Sequence, residues 1–133
     1  MTHSGSCICG QITFEVEGPL GKAVGCHCAQ CRKGSGHYVV ATAAPVDAIS
    51  ISGTVAWYAY KPGTERGFCG TCGAQLFWRK RGEPSMSIMM GAFDRETDLT
   101  LAGHIYVGEK PGYYDLDETL PASAGDSETL TNR

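Results

Sequence analysis

The seven cysteines of this 133-residue chain stand in three tight groups, Cys7-x-Cys9, Cys26-His27-Cys28-x-x-Cys31 and Cys69-x-x-Cys72. Thiols one or two residues apart are how a backbone turn offers two sulfurs to one metal, and a tetrahedral zinc takes four ligands, with sulfurs at about 2.3 Å. The chain must then bring distant groups together. Two pairs make a closed site, whereas the remaining three sulfurs make an open one, whose fourth position is left to water or a substrate.

Other uses of the cysteines fit less well. A disulfide framework calls for an even count and an oxidising compartment, but the count is odd and the start MTHSGSCICG has no charged or apolar region of a secretory signal. An iron–sulfur cluster can use the same four thiolates as a structural zinc and stays open as an alternative, although clusters more often draw three or four thiols from one local run.

Length and charge narrow the class. A chain of this size is one domain, burying roughly two-thirds of its unfolded surface, for which a metal staple worth on the order of 10 kcal/mol matters to stability. A net charge of −3 and a pI near 5.7 give no general attraction to nucleic acid or to an anionic membrane surface. No apolar stretch approaches the roughly 20 residues that span a bilayer. The expectation is a soluble cytoplasmic protein, in a compartment that keeps thiols reduced, with neither a nucleic-acid nor a membrane partner.

Hydrophobic patterning predicts short strands cut by turns. Gln11 to Glu17 alternates Ile12, Phe14 and Val16 with Thr13, Glu15 and Glu17, the period of a half-buried strand. Further strands are predicted over His37–Ala44, Ile49–Ile51, Val55–Tyr60, Leu76–Arg79, Ser85–Met90 and Leu99–Val107. Helix is expected only as a turn around Ala29–Lys33 and a second at Asp94–Thr97. The fold class is mainly β, with very little helix. From Asp117 onward the chain loses its aromatics and reads as a loosely ordered polar tail, so the zinc-binding domain is set at residues 1–116 and the tail at 117–133.

Position assigns the cysteines to two metals. Cys7-x-Cys9 and Cys69-x-x-Cys72 are each followed at once by glycine, Gly10 and Gly73, as a knuckle turn with positive φ requires, and each runs into a predicted strand. They are read as equivalent halves of a closed structural site. Cys26, Cys28 and Cys31 have no equivalent pair to complete them and form the candidate reactive site. The alternative is closure of that site by His27, His37 or His104.

The motifs resemble the glutathione-dependent formaldehyde-activating enzyme family, also called the centromere-protein-V/GFA domain family. The resemblance runs through Gly5-Ser6-Cys7-Ile8-Cys9-Gly10, Cys26-His27-Cys28-Ala29-Gln30-Cys31-Arg32-Lys33-Gly34-Ser35-Gly36 and Phe68-Cys69-Gly70-Thr71-Cys72-Gly73. It continues in His104-Ile105-Tyr106-Val107, Lys110, Tyr113 and Leu120-Pro121. It implies a complex of coiled antiparallel β-sheets stapled by zinc, with two Zn²⁺ per chain. Cys7, Cys9, Cys69 and Cys72 would hold the structural ion, and Cys26, Cys28 and Cys31 a catalytic one. The implied activity is that of a carbon–sulfur lyase, joining glutathione or a similar small thiol to formaldehyde or another aldehyde as S-(hydroxymethyl)glutathione or its analogue. The rival class is a non-enzymatic, zinc-stabilised binding module. The family often has tryptophan where this chain has Tyr113.

Several other residues are tempting. Three thiolates and Zn²⁺ sum to −1, which favours presenting a thiolate over activating water, and the addition then needs a proton donor for the aldehyde oxygen. His27, His37 and His104 are the imidazoles on offer. Arg32 and Lys33 read as solvated cations or as anchors for substrate carboxylates. Arg79-Lys80-Arg81 reads as a solvated hairpin tip, Met86, Met89 and Met90 as core filler, and Tyr106, Tyr113 and Tyr114 as residues that close over the pocket.

Overall fold

Strict alternation in the second strand organises the smaller of two sheets. In the computed structural model, which describes residues 1–131, β2 (Thr13–Glu17) buries Phe14 and Val16 while Thr13, Glu15 and Glu17 face solvent. It pairs antiparallel with β1 (Thr2–Ser6) and β5 (Ile49–Ser52), giving the order β1-β2-β5. Close packing dictates one residue here. A Cβ at Gly5 would overlap the Phe14 ring and the Ala92 carbonyl, so β1 can lie over Phe14 only with glycine at that place.

The larger sheet has seven strands: β3 (Ala23–Cys26), β4 (Val39–Pro45), β6 (Val55–Lys61), β7 (Thr64–Cys69), β8 (Gln75–Lys80), β9 (Ser85–Met89) and β10 (Leu101–Ile105). Their order is β10-β3-β4-β9-β8-β7-β6. Every pairing in it is antiparallel except β10 with β3, which run parallel. Register sorts its side chains onto two faces, since directly paired residues point the same way. Phe77, opposite Ile88, belongs to the face that meets the smaller sheet, with Phe14 and Phe77 edge to face at 5.2 Å. Ile12, Val16, Leu76, Met86 and Ile88 complete this core. Burying each large apolar side chain contributes about 1.5–3 kcal/mol before chain entropy is counted. The other face carries Tyr58, Arg66, Trp78, Ser87 and Ala43 in one paired row, and it opens onto a cavity.

The mainly β expectation holds, and its exceptions have local causes. Strand β3 buries nearly every residue of Ala-Val-Gly-Cys and therefore lacks a period-two signal. Strand β7 begins Thr-Glu-Arg, which reads as polar. Its Glu65 is nevertheless buried, because Arg79 and Arg81 meet the carboxylate at 2.9 and 3.1 Å. Polar β1 exists through its pairing with β2. The helical turn expected at Asp94–Thr97 is absent, because the amide of Asp94 bonds back to Ser4 and its carboxylate accepts from the Ser6 hydroxyl.

Residues 121–125 run along β10 and the turn that follows it. The His104 amide donates to Pro121, Ser123 returns a bond to His104, and α2 (Glu128–Thr131) buries Leu130 against Val24 and Ile105. The loosely ordered course expected of this segment from its polarity is thus replaced by strand-like pairing with one apolar anchor. No helix among the described residues is long and apolar enough to cross a membrane.

Candidate metal centres and the adjoining cavity

Four sulfurs converge where the loop after β1 meets the end of β7. Cys7, Cys9, Cys69 and Cys72 place their Sγ atoms within 4.8 Å of one another. The Cys7–Cys9 and Cys9–Cys69 sulfurs are 3.6 and 3.8 Å apart, close to the roughly 3.8 Å edge of a tetrahedron with 2.3 Å metal–sulfur bonds. All seven cysteines are free thiols. The two halves share one local design. Cys7 and Cys69 each donate their amide five residues ahead, to Ile12 and Ala74, and Gly10 and Gly73 take φ of 81° and 76° to turn the chain back. Backbone amides aim at sulfur. The Ile12 amide holds the Cys7 thiol below its ordinary range, and chiefly the Ala74 amide brings Cys72 down to about 6, both in the direction a thiolate ligand needs.

The second cluster is built on the end of β3 and the start of a helix. Cys26 closes the strand, Cys28 is the N-cap of α1 (Ala29–Ser35), and Cys31 lies one turn in. The Cys28 sulfur accepts from the Cys31 amide at 3.4 Å, repeating the arrangement of Cys69 and the Cys72 amide at 3.5 Å. Gly36, at φ 84°, ends the helix by returning its amide to Arg32 at 2.7 Å. Glu109 accepts from the Ala29 amide at the other end. The sulfurs of Cys26, Cys28 and Cys31 lie within 4.8 Å of one another, and no histidine or carboxylate joins them among the described residues. They divide their charge unevenly. Hydrogen bonds from Cys26 and Cys31 hold Cys28 far below the ordinary thiol range, while Cys26, facing that anion, is raised to about 11. Both clusters could hold a metal ion, and an all-thiolate donor set is consistent with zinc.

The histidines are engaged elsewhere. His27 points away from the sulfurs flanking it in sequence, with Nδ1 2.7 Å from the Tyr114 hydroxyl and Nε2 2.8 Å from Nδ1 of His104. Tyr38 stacks on its ring at 4.4 Å, and His37 packs between Tyr38 and Tyr114. Burial, then the neighbouring His104, lowers His27 to about 4, and burial lowers His104 too, so both rings are neutral at pH 7. Of the three expected pocket tyrosines, Tyr114 caps this stack and Tyr106 lines the cavity. Tyr113 remains 61 % exposed and donates to the Gly36 carbonyl at 2.8 Å.

A cavity of about 410 Å³ lies over the second cluster and includes Cys26, Cys28 and Cys31 in its wall. Lys22, Lys61, Arg66 and Lys80 give it positive charge, against Glu83, Glu109 and Asp126. Arg32 and Lys33 are not among its lining residues. Arg79-Lys80-Arg81 is divided: Arg79 covers the Trp57 ring at 3.6 Å and pairs with Glu65, while Lys80 reaches the cavity. Met86 and Met89 are buried as expected of core filler.

Sequence reasoning passed over the residues that join the two clusters. Arg66 donates from Nη2 to Gln75 Oε1 at 3.1 Å and approaches Cys31 Sγ at 3.9 Å, while Gln75 Nε2 donates to the Gly34 carbonyl of α1 at 3.0 Å. Arg66 stands three residues before Cys69 and Gln75 three after Cys72, so one knuckle carries both. A Cβ at Gly34 would collide with the Gln75 amide. The available signal was a cation three residues before the last cysteine pair.

Comparison with known proteins places the chain in a family and shows a shared fold. The family described as glutathione-dependent formaldehyde-activating enzyme matches residues 2–109. An uncharacterized lyase of Schizosaccharomyces pombe is 27 % identical over 118 residues, 86 % of this chain and 85 % of that protein. A Halomonas elongata protein named for glutathione-dependent formaldehyde activation is 26 % identical over 133 aligned positions, 88 % of this chain and 82 % of its own. A crystal structure of a Rhodobacter sphaeroides protein shares the fold, with a TM-score of 0.60 and 24 % identity over 71 % of this chain and 91 % of that one.

Proposed function

Because the chain belongs to the glutathione-dependent formaldehyde-activating enzyme family, we propose that it is a zinc-dependent carbon–sulfur lyase acting on a thiol–aldehyde adduct such as S-(hydroxymethyl)glutathione. The observation that carries the reading is the three-sulfur cluster in the wall of a cavity, with no fourth protein donor beside it among the described residues. In this reading Cys7, Cys9, Cys69 and Cys72 hold a structural zinc, and Cys26, Cys28 and Cys31 hold a second, within a zinc-binding unit of residues 1–116. A zinc ion held by the second cluster would supply thiolate from a neutral thiol at physiological pH.

The remaining work falls to the chain. Arg66, against Cys31, offsets the negative charge that three thiolates leave around a divalent ion. Lys22, Lys61 and Lys80 draw the carboxylates of a glutathione-like thiol into the cavity and orient its sulfur toward the cluster. The neutral His27–His104 pair holds the strand that carries Cys26 in place through buried hydrogen bonds. The abundance of free cysteines suits the reducing cytoplasm.

The test is exchange at equilibrium. Magnetisation transfer between formaldehyde hydrate and its glutathione adduct should be faster with the protein than with buffer or free zinc, and the gain should vanish in Cys28→Ser. Thiol binding without acceleration for a panel of aldehydes would instead mark a zinc-stabilised binding module.

A further inference from the structure

Strand β6 carries a bulge at the rim of the cavity. Ala59 pairs with Glu65 and Lys61 with Thr64, so Tyr60 is the extra residue opposite a single step of β7. Lys61, paired with Thr64, shares the face of Arg66, and Tyr60, two residues from Tyr58, stands on that face as well. Two consecutive side chains are thereby turned into the cavity, and both line it with Cys28 and Cys31. Bulges commonly re-aim a side chain beside a reactive site.

The orientation of the Tyr60 hydroxyl is constrained. Trp78 on β8 donates its Nε1–H to the Tyr60 oxygen at 2.9 Å. An indole N–H can only donate, so the phenol proton must point elsewhere, and it has no acceptor among the described residues. Burial raises the phenol above its ordinary value of 10 against the Trp78 hydrogen bond, which lowers it, with Cys28 and Cys31 adding to the rise and Arg66 opposing it, so the proton is kept at neutral pH.

We propose that Tyr60 is the catalytic proton donor to the aldehyde oxygen, oriented by Trp78, an assignment that rests on the thiol–aldehyde reading of the site. In the forward direction the thiolate sulfur forms a bond to the aldehyde carbon, and the carbonyl π pair moves to oxygen. That oxygen takes the proton from Tyr60 Oη. The Trp78 N–H and the nearby Arg66 charge stabilise the phenolate until solvent returns the proton the thiol gave up. The net change is thiol plus aldehyde to hydroxymethyl thioether; in reverse Tyr60 first gives its proton to solvent, and the phenolate then removes the hydroxyl proton as the carbon–sulfur bond breaks and its electron pair leaves with sulfur.

The experiment compares two thioethers that differ by one hydroxyl, S-(hydroxymethyl)glutathione in equilibrium with excess formaldehyde and S-methylglutathione. Calorimetric titration of the zinc-loaded protein should show the hydroxyl-bearing ligand bound about three- to tenfold more tightly, the range of one hydrogen bond. Tyr60→Phe should erase that preference and leave S-methylglutathione affinity unchanged, with adduct exchange slowed about 10²-fold or more. An unaltered melting curve and zinc content establish that the variant is folded, and Trp78→Phe should give a partial loss of the preference. A preference that survives in Tyr60→Phe, or is absent from the wild type, overturns the Tyr60 assignment while adduct binding leaves the functional reading intact. Failure of the wild type to bind either thioether or glutathione overturns both.

Discussion

Replacing Cys69 by serine separates the two clusters by what each does for the chain. Cys69 is 1 % exposed, and its sulfur meets that of Cys9 across a sequence separation of 60 residues, between the loop after β1 and the end of β7. Treated as a crosslink, a metal clamping a loop of that length removes about 4 kcal/mol of unfolded-state entropy at 25 °C. Serine offers no thiolate, so the clamp is lost with the metal. For a domain of this size that is a fall in melting temperature on the order of 15 °C, enough to consume much of a typical net stability. Cys28→Ser removes a ligand from a cluster contained within Cys26–Cys31, where the same relation gives only about 2 kcal/mol. Melting followed by circular dichroism, with zinc measured in the same samples, decides the matter. Equal destabilisation by the two substitutions, or two zinc ions retained in Cys69→Ser, would refute the division into a structural clamp and an open site.

The purified protein is expected to carry close to two zinc ions, one of which a chelator removes much faster, and elemental analysis showing one zinc or stoichiometric iron with sulfide counts against the two-site arrangement. Gly34→Ala places a methyl group on the Gln75 amide, and should weaken metal binding at the second cluster tenfold or more while leaving the first filled, as competition with a colorimetric chelator would record. Arg66→Gln should shift the sulfur-to-metal absorption of the cobalt-substituted protein, because a cation is withdrawn from Cys31. For Glu65 the hydrogen bond from Arg79, with help from Arg81, lowers the carboxyl below the ordinary 4.5. The unfolded state then binds the proton first, so the stability difference between wild type and Glu65→Gln is present above pH 4.5 and disappears as pH falls below it, as paired denaturant titrations would show.

Much of the metal-binding geometry is legible because cysteine spacing is a local signal with few physical meanings. Each pair sits on a turn that its own glycine makes possible, so Cys7, Cys9, Cys69 and Cys72 can be matched before any tertiary contact is known. Strands with one buried face, such as β2, announce themselves in the same way. What escapes is set by distance. Nothing near Arg66 says that its guanidinium will meet Cys31, and a bulge at Tyr60 depends on how β6 and β7 pair. His27 is the instructive case: its place between two cysteines makes it one of three possible fourth ligands, yet its ring lies in the aromatic stack of Tyr38, Tyr114 and His104. The polar segment after Asp117 misled because its pairing to β10 uses backbone groups, which side-chain composition does not report.

The linkage from Gly34 through Gln75 and Arg66 to Cys31 bears on maturation in a living cell. Arg66 and Gln75 flank a single knuckle, so closing Cys69 and Cys72 around an ion would also steady the two side chains that reach α1. If zinc fills both clusters, filling the buried clamp would then favour filling the open cluster. A cell short of zinc would then accumulate chains lacking both ions or holding only the first, and scarcely any armed at the open cluster alone. Such a hierarchy guards against a half-built protein exposing a charged, unsupported thiolate to passing aldehydes.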